Sequence, residues 1–297
     1  MKKPLIVGPV FTEIVNYVDE LPKGNEEFTA NQSEQRIAGN GYHLARMFQA
    51  FGFPYELLAS VGTGTYGDFV KDACQKDHII LHEKEQISGC QYTLIDAKGQ
   101  EGLMSVPGAE FAFDLEDIQY IDPQDISFVV LFGEMLTGEN AADLLQALDD
   151  LQKPVIFVPG NRWDEIDEDL LYAVFQFEPK IFLTDNEAFF IAGGKTKNMR
   201  DTAEALHEQS SEAVMIYQPL EGIYYLDSED TYLVPAKKKI RFDQMTAGYI
   251  AAVQAGIDTH RALQYGVEFA EECRGKQPSA NLMEMEKSHL AEMILGK

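Results

Sequence analysis

The chain has 297 residues, with 24 Lys and Arg against 49 Asp and Glu, giving a formal charge of −25 at pH 7. That balance excludes a nucleic-acid binder, which needs a basic face to displace counterions from phosphates, and an anionic membrane surface repels the chain for the same reason. Any anionic ligand must be held by local dipoles or a few placed cations, within a chain whose 45% hydrophobic content supplies a sizeable core.

The start carries Lys2 and Lys3 as a secretory signal does, but the apolar run 5–10 is short and is interrupted by Gly8 and Pro9, so it predicts a buried first strand. Residues 11–37 are polar and extended, with no helical face. Residues 41–51 predict a helix with Leu44, Met47, Phe48 and Phe51 on one side. A second strand over 56–61 and a helix over 66–75 follow. Residues 87–106, with Tyr92-Thr93-Leu94-Ile95 and the turn Asp96-Ala97-Lys98-Gly99, predict a β-hairpin. Strands over 128–132, 155–158, 180–183 and 213–217 alternate with helix-like stretches, 141–151 among them, and helices run from Thr246 onward. Continuous apolar strands alternating with amphipathic helices imply a mostly parallel sheet covered on both faces. With no low-complexity linker and no repeat, the expectation is a single α/β domain over 1–297, with excursions at about 11–37 and 87–106 forming a small β lid. No apolar run reaches the length of a membrane span. Cys74, Cys90 and Cys273 form neither a metal spacing nor a disulfide framework, which fits a reducing cytoplasm.

A series of short motifs then stands out in order. These are Gly8 after the first strand, Ala38-Gly39-Asn40-Gly41 opening the first helix, Val61-Gly62-Thr63-Gly64-Thr65-Tyr66-Gly67, and Pro107-Gly108-Ala109-Glu110. The Gly133-Glu134 turn, Asn186-Glu187, and Asp243-Gln244-Met245-Thr246-Ala247-Gly248-Tyr249 complete it. In this order and spacing the chain resembles the ribokinase-like (PfkB) carbohydrate kinases over nearly its whole length. The resemblance implies a three-layer α/β fold with a β lid, ATP and Mg2+ as cofactors if the chain is active, and a small-molecule sugar or sugar-like ligand; separately, the exposed strand edges of the lid would allow a homodimer through it. It places the acceptor near Glu13, Gly39, Asn40, His43, Glu110 and Asp243, and the nucleotide near Asn186, Glu187, Gln218 and Gly222. Arg162 follows a strand end, where open α/β sheets bind ligands. It is read either as a contact for a substrate phosphate or as half of a surface ion pair.

In the family the last motif reads Asp-Thr-x-Gly-Ala-Gly-Asp. The glycine-rich turn opens a helix whose free N–H groups form an anion hole, and the final aspartate takes the proton from the acceptor hydroxyl. Aligned on Ala247 and Gly248, the motif makes Thr246, Ala247 and Gly248 the anion hole and puts Tyr249 at the base position. A tyrosine, with a pKa of about 10, is a protonated donor at neutral pH, so phosphotransfer is expected to be weak or lost. Phe189 stands where the Asn-x-x-Glu motif has its glutamate, His43 and Ala38 replace an asparagine and a glycine of the sugar site, and Glu13 stands for an aspartate. Pro219 removes an amide donor from the nucleotide-side turn. The reading is therefore a divergent family member, with an active carbohydrate kinase using a substitute base, or a non-catalytic ligand-binding pseudokinase, as alternatives. Asp243 is a helix N-cap or a ligand contact, Gly248 a helix-packing residue or part of the anion hole, and Tyr249 a structural plug or the base substitute. The basic cluster Lys237-Lys238-Lys239-Ile240-Arg241 is a protected strand edge or a cation supply near Asp243. The acidic residues of 164–169 are read as solvated faces, and no metal site is expected there.

Overall fold

The apolar runs and amphipathic stretches form alternating strands and helices in a computed structural model that describes residues 2–25, 27–209, 211–273 and 280–294. In chain order these are β1 (Lys3–Val7), β2 (Phe11–Tyr17), β3 (Gln32–Ala38), α1 (Asn40–Phe51), β4 (Glu56–Leu58), β5 (Ser60–Thr63), α2 (Gly64–Lys76), β6 (His82–Ile87), β7 (Cys90–Ile95) and β8 (Glu101–Val106). The chain continues with β9 (Ile126–Phe132), α3 (Ala141–Leu151), β10 (Val155–Val158), α4 (Glu168–Phe175), β11 (Lys180–Thr184), α5 (Asp185–Ile191) and α6 (Met199–His207). Then come β12 (Ala213–Gln218), β13 (Gly222–Asp227), β14 (Thr231–Pro235), α7 (Phe242–Gln254), α8 (Thr259–Cys273) and α9 (Ala280–Ile294).

The main sheet has the order β4-β1-β9-β10-β11-β12-β13-β14, parallel from β4 to β12 and antiparallel through the last two strands. Its strands read as continuous apolar runs because both faces are covered. The two-residue alternation of a strand sends Ile6 of β1 into one core layer, with Phe48, Phe182 and Tyr249, and Leu5 and Val7 into the other, with Leu131 and Leu144. Helix α1 buries Leu44, Met47, Phe48 and Phe51 and stops at Gly52, whose φ of 74° is the left-handed conformation that ends helices. A second sheet of order β3-β2-β7-β8 is built from the two polar excursions. Its β7–β8 hairpin turns through Asp96 and Gly99, with Ile95 paired to Glu101.

The structure departs from the sequence reading in several places, β6 among them, which was not assigned from sequence. The strand read over 56–61 is two strands in different sheets, β4 beside β1 and β5 beside β6. The β13–β14 hairpin, not assigned from sequence, extends the main sheet past β12. Helix α7 begins at Phe242, four residues before Thr246. Its start is fixed by Ile240, which is buried and whose carbonyl accepts the Tyr217 hydroxyl at 2.8 Å. No described helix is long and apolar enough to cross a membrane, and the three cysteines are buried and unpaired.

Candidate active site

A cleft of about 870 Å³ lies at the C-terminal ends of the parallel strands, roofed by the small sheet. Phe132, Val158 and Thr184, the last residues of β9, β10 and β11, line its floor, and Glu13, Arg36, Gln91 and Thr93 reach it from the small sheet. This is where open α/β sheets form ligand crevices. The start of α1 is brought to it by close backbone approach. Gly39 has φ of 105°, and a Cβ there would lie 2.2 Å from the carbonyl oxygen of Pro9. A Cβ on Gly41 would lie 2.3 Å from that of Gly8. Only glycine tolerates such contacts.

Between these glycines, Asn40 donates its side-chain amide to Glu134 Oε1 at 2.7 Å. The other oxygen of Glu134, Oε2, is buried without a partner. Burial is the main cause that pushes this carboxyl up to about 7; Glu187 adds to the rise, and Arg162 and Asn40 oppose it. Glu187 closes a capping box with Thr184, accepting its backbone N–H at 2.6 Å and its hydroxyl at 2.9 Å, and burial raises its pKa as well. Arg162 donates Nε and Nη2 to Glu165 at 3.0 and 2.5 Å and lies 4.7 Å above the Phe111 ring, while its buried Nη1 has no partner. These orphaned atoms, an acceptor on Glu134 and a donor on Arg162, line the cleft and are suited to a polar ligand.

On the roof, Glu13 accepts from Thr93 Oγ1 at 2.5 Å, Arg36 Nε at 2.7 Å and Gln91 Nε2 at 3.4 Å. Burial alone would raise its pKa, but the hydrogen bonds from Arg36 and Thr93 outweigh burial and hold it below the usual carboxylate range. Glu110 accepts the backbone N–H groups of Gly89 and Gly108, both at 2.9 Å, so its two oxygens brace the ends of the β7–β8 hairpin. His43 also faces the cleft. Burial lowers its pKa against the pull of Asp243 and Glu13, leaving a neutral imidazole at pH 7.

The start of α7 closes the site. Asp243, in its first turn, lines the cleft and accepts Arg241 Nε at 3.0 Å and Nη2 at 2.8 Å. The free amides of a helix belong to its opening turn, which is 242–244 and not 246–248. The placement of Tyr249 at the base position is therefore corrected. Tyr249 lies two turns into α7, is 0% exposed, and packs against Phe182 with ring centroids 4.6 Å apart in the core. It is absent from the cleft lining. Burial raises its pKa further, so it is no base. Gly248 likewise faces α8, where a Cβ would lie 3.0 Å from Phe269 and 3.1 Å from the Cα of Gly266. Thr246 and Ala247 do reach the cleft wall, but Thr246 Oγ1 is spent on the Phe242 carbonyl at 2.9 Å.

Of the nucleotide-side residues, only Glu187 lines this cleft. Asn186 does not line it, and Gln218 and Gly222 pair with each other across the tight turn joining β12 to β13. Glu134, Arg36 and Arg241 were missed as site residues. The Gly133-Glu134 turn was visible as a landmark and Arg241 as part of the basic cluster, whereas Arg36 required the β2–β3 register that sets it opposite Glu13.

Residues 1–285 match the profile of the pfkB family carbohydrate kinases. None of the curated protein sequences matches the chain. Among solved structures, the ribokinase of Thermotoga maritima superposes with a TM-score of 0.80 at 18% identity, covering 98% of this chain and 100% of that one. A ribokinase of Arabidopsis thaliana, complexed with ribose and ATP, gives 0.76 at 18% identity over 97% and 99% of the two chains. A nucleoside kinase of Burkholderia thailandensis, in complex with inosine, gives 0.77 at 15% identity over 99% of each.

Proposed function

The chain belongs to the pfkB family of carbohydrate kinases, and from that premise we propose that it transfers the γ-phosphoryl group of MgATP to a hydroxyl of a small polyol, a sugar or a nucleoside, with Asp243 as the general base. The observation that carries this reading is the position of Asp243, in the opening turn of α7 and facing the cleft. That is where the family motif has its final aspartate relative to its helix, so the motif is in register with Asp243 and not with Tyr249. The acceptor oxygen attacks the γ-phosphorus, its proton passes to the Asp243 carboxylate, and ADP leaves with the electrons of the broken P–O bond. Asn40, Glu134, His43 and the Glu13–Arg36 pair surround the acceptor, with the small sheet as a lid over it. Among the described residues no group of three or more His, Cys, Asp or Glu could hold a metal. Magnesium would enter with the phosphates, which are its usual ligands together with water, and Glu187 is one of the cleft carboxylates that would be available to it.

The test is ADP formation by purified protein with MgATP across a panel of sugars and nucleosides, with Asp243→Asn as control. Acceptor-dependent turnover that falls roughly 10²–10⁴-fold in the variant is expected. Turnover unchanged by Asp243→Asn would refute the assignment. A second reading, a ligand-binding protein without turnover, is favoured by the ion pair that occupies Asp243, and binding heat without ADP release would support it. We further read the whole chain as one α/β domain with a lid, working in a reducing compartment such as the cytoplasm. Dimerisation would run through the lid edge at β8, where Leu103, Met104 and Val106 are exposed. A monomer by sedimentation would remove that last point.

A further inference from the structure

We propose that Arg241 is a catalytic residue, whose guanidinium takes the place of an amide-built anion hole and receives the charge of the transferred phosphoryl group. The inference rests on the kinase reading above. In the family motif two glycines and an alanine precede the base, and bare backbone there approaches the phosphate. With Asp243 as the base, the three preceding residues are Ile240, Arg241 and Phe242. None of them frees the backbone as glycine does. Arg241 has φ of −93° and ψ of 133°, an ordinary extended conformation, as the N-cap of α7. The segment is also held in place. Ile240 is buried and bonded through its carbonyl to Tyr217, and the ring of Phe242 packs 5.8 Å from that of Tyr217. The turn thus trades flexible amides for a fixed backbone carrying a cation.

The position of that cation follows from its partner. The Arg241 fork is bound to both Asp243 oxygens, and a phosphoryl group moving to a hydroxyl held by Asp243 must pass beside it. The two bonds leave three of the five N–H donors of the guanidinium for phosphoryl oxygens. The hydrogen bonds to Asp243 strengthen the hold of Arg241 on its proton, burial opposes them, and Glu101 and Glu13 of the small sheet add to the rise; a guanidinium keeps its charge at any working pH. The other cleft arginines are tied to different carboxylates, Arg36 to Glu13 and Arg162 to Glu165. In the observed pairing Arg241 covers the base. When phosphate draws the guanidinium away, the Asp243 oxygens are released to accept the hydroxyl proton, so exposure of the base is coupled to the presence of the phosphoryl donor.

The experiment compares wild type with Arg241→Ala and Arg241→Lys, using MgATP, MgADP and adenosine as probes in calorimetry and ADP formation as the rate readout. Expected are a roughly 10²–10³-fold fall in turnover for Arg241→Ala, a larger loss of affinity for MgATP than for MgADP, no change for adenosine, and partial recovery with added guanidinium ion. Arg241→Lys retains the charge without the fork and should fall between the two. An Arg241→Ala protein that turns over within about threefold of wild type, or one that loses rate while binding MgATP and MgADP as wild type does, would overturn the assignment, the second outcome reducing Arg241 to a positioning residue. Failure of the kinase reading itself is distinguishable, because wild type would then form no ADP with any acceptor, whether or not it binds MgATP, and the assignment would fall with it.

Discussion

Replacing Glu134 by Gln removes one ionisable group from the floor of the cleft while keeping the side chain's shape. The folded protein raises this carboxyl from 4.5 to about 7, chiefly by burial. A folded pKa above the unfolded one means that the folded state holds the proton more tightly. The stability this lends is complete below about pH 4.5 and is lost as pH rises through about 7. At roughly 1.4 kcal/mol per pH unit the whole effect is about 3 kcal/mol, of which about 2 kcal/mol falls between pH 5.5 and 8.5. In the variant, Oε1 still accepts the Asn40 amide. The new N–H group stands where Oε2 had no partner, at a cost of about 1–3 kcal/mol that is the same at every pH. The measured quantity is therefore the difference between the two proteins, in which every other titrating group cancels. Urea unfolding followed by the fluorescence of Trp163, the one tryptophan of the chain, supplies it. The variant should gain about 2 kcal/mol on wild type from pH 5.5 to 8.5. A difference constant to within about 0.5 kcal/mol over that range would refute the buried, proton-holding Glu134.

Gly39→Ala places a Cβ 2.2 Å from the carbonyl oxygen of Pro9 at a φ of 105°, and a fall of more than about 3 kcal/mol in stability is expected by thermal unfolding. Gly248→Val crowds Phe269 and Gly266 on α8; it should cost about 1–3 kcal/mol or more by the same assay, with MgATP affinity of the folded protein unchanged. Tyr249→Phe should leave turnover within about threefold, since the residue touches no ligand. Tyr249→Asp, which would restore a base if Tyr249 stood in the cleft, instead buries a carboxylate beside Phe182. It should destabilise by several kcal/mol without any gain in ADP formation.

The architecture was legible because its signals are long and redundant. The apolar runs at 128–132 and 155–158 can only be buried strands, and the helix over 141–151 has the residues observed. The β13–β14 hairpin was not, because β14 is the edge strand of the sheet, where burial is uneven and the apolar pattern breaks down. In the site, the motif at 243–249 was misplaced by a physical ambiguity. Ala247 and Gly248 match an anion-hole motif letter by letter, yet small residues are needed equally where two helices press together, and α7 meets α8 there. What separates the two uses is the helix start, and that is set by Tyr217 holding Ile240, a contact spanning 23 residues that no local pattern reveals. Arg36 escaped for a similar reason, since its partner Glu13 is identified only by strand register.

Register also alters the meaning of the chain's charge. A protein with a net charge of −25 needs local dipoles or cations where a phosphate lies, and the cleft does contain Arg36, Arg162 and Arg241. Each is paired with a carboxylate, so the cleft presents neutral pairs instead of a positive field, and a phosphate that takes up the paired donors must draw an arginine from its partner. The three pairs differ in what such a move leaves behind. Glu13 would remain bonded to Thr93 and Gln91, and Glu165, about half exposed, would be rehydrated. Asp243 alone would be left facing an acceptor hydroxyl with a proton to give. Separating Arg241 from Asp243 therefore costs least when nucleotide and acceptor are both present, because the phosphoryl oxygens satisfy one partner and the hydroxyl proton satisfies the other. By the same reasoning, hydrolysis of MgATP without an acceptor is disfavoured.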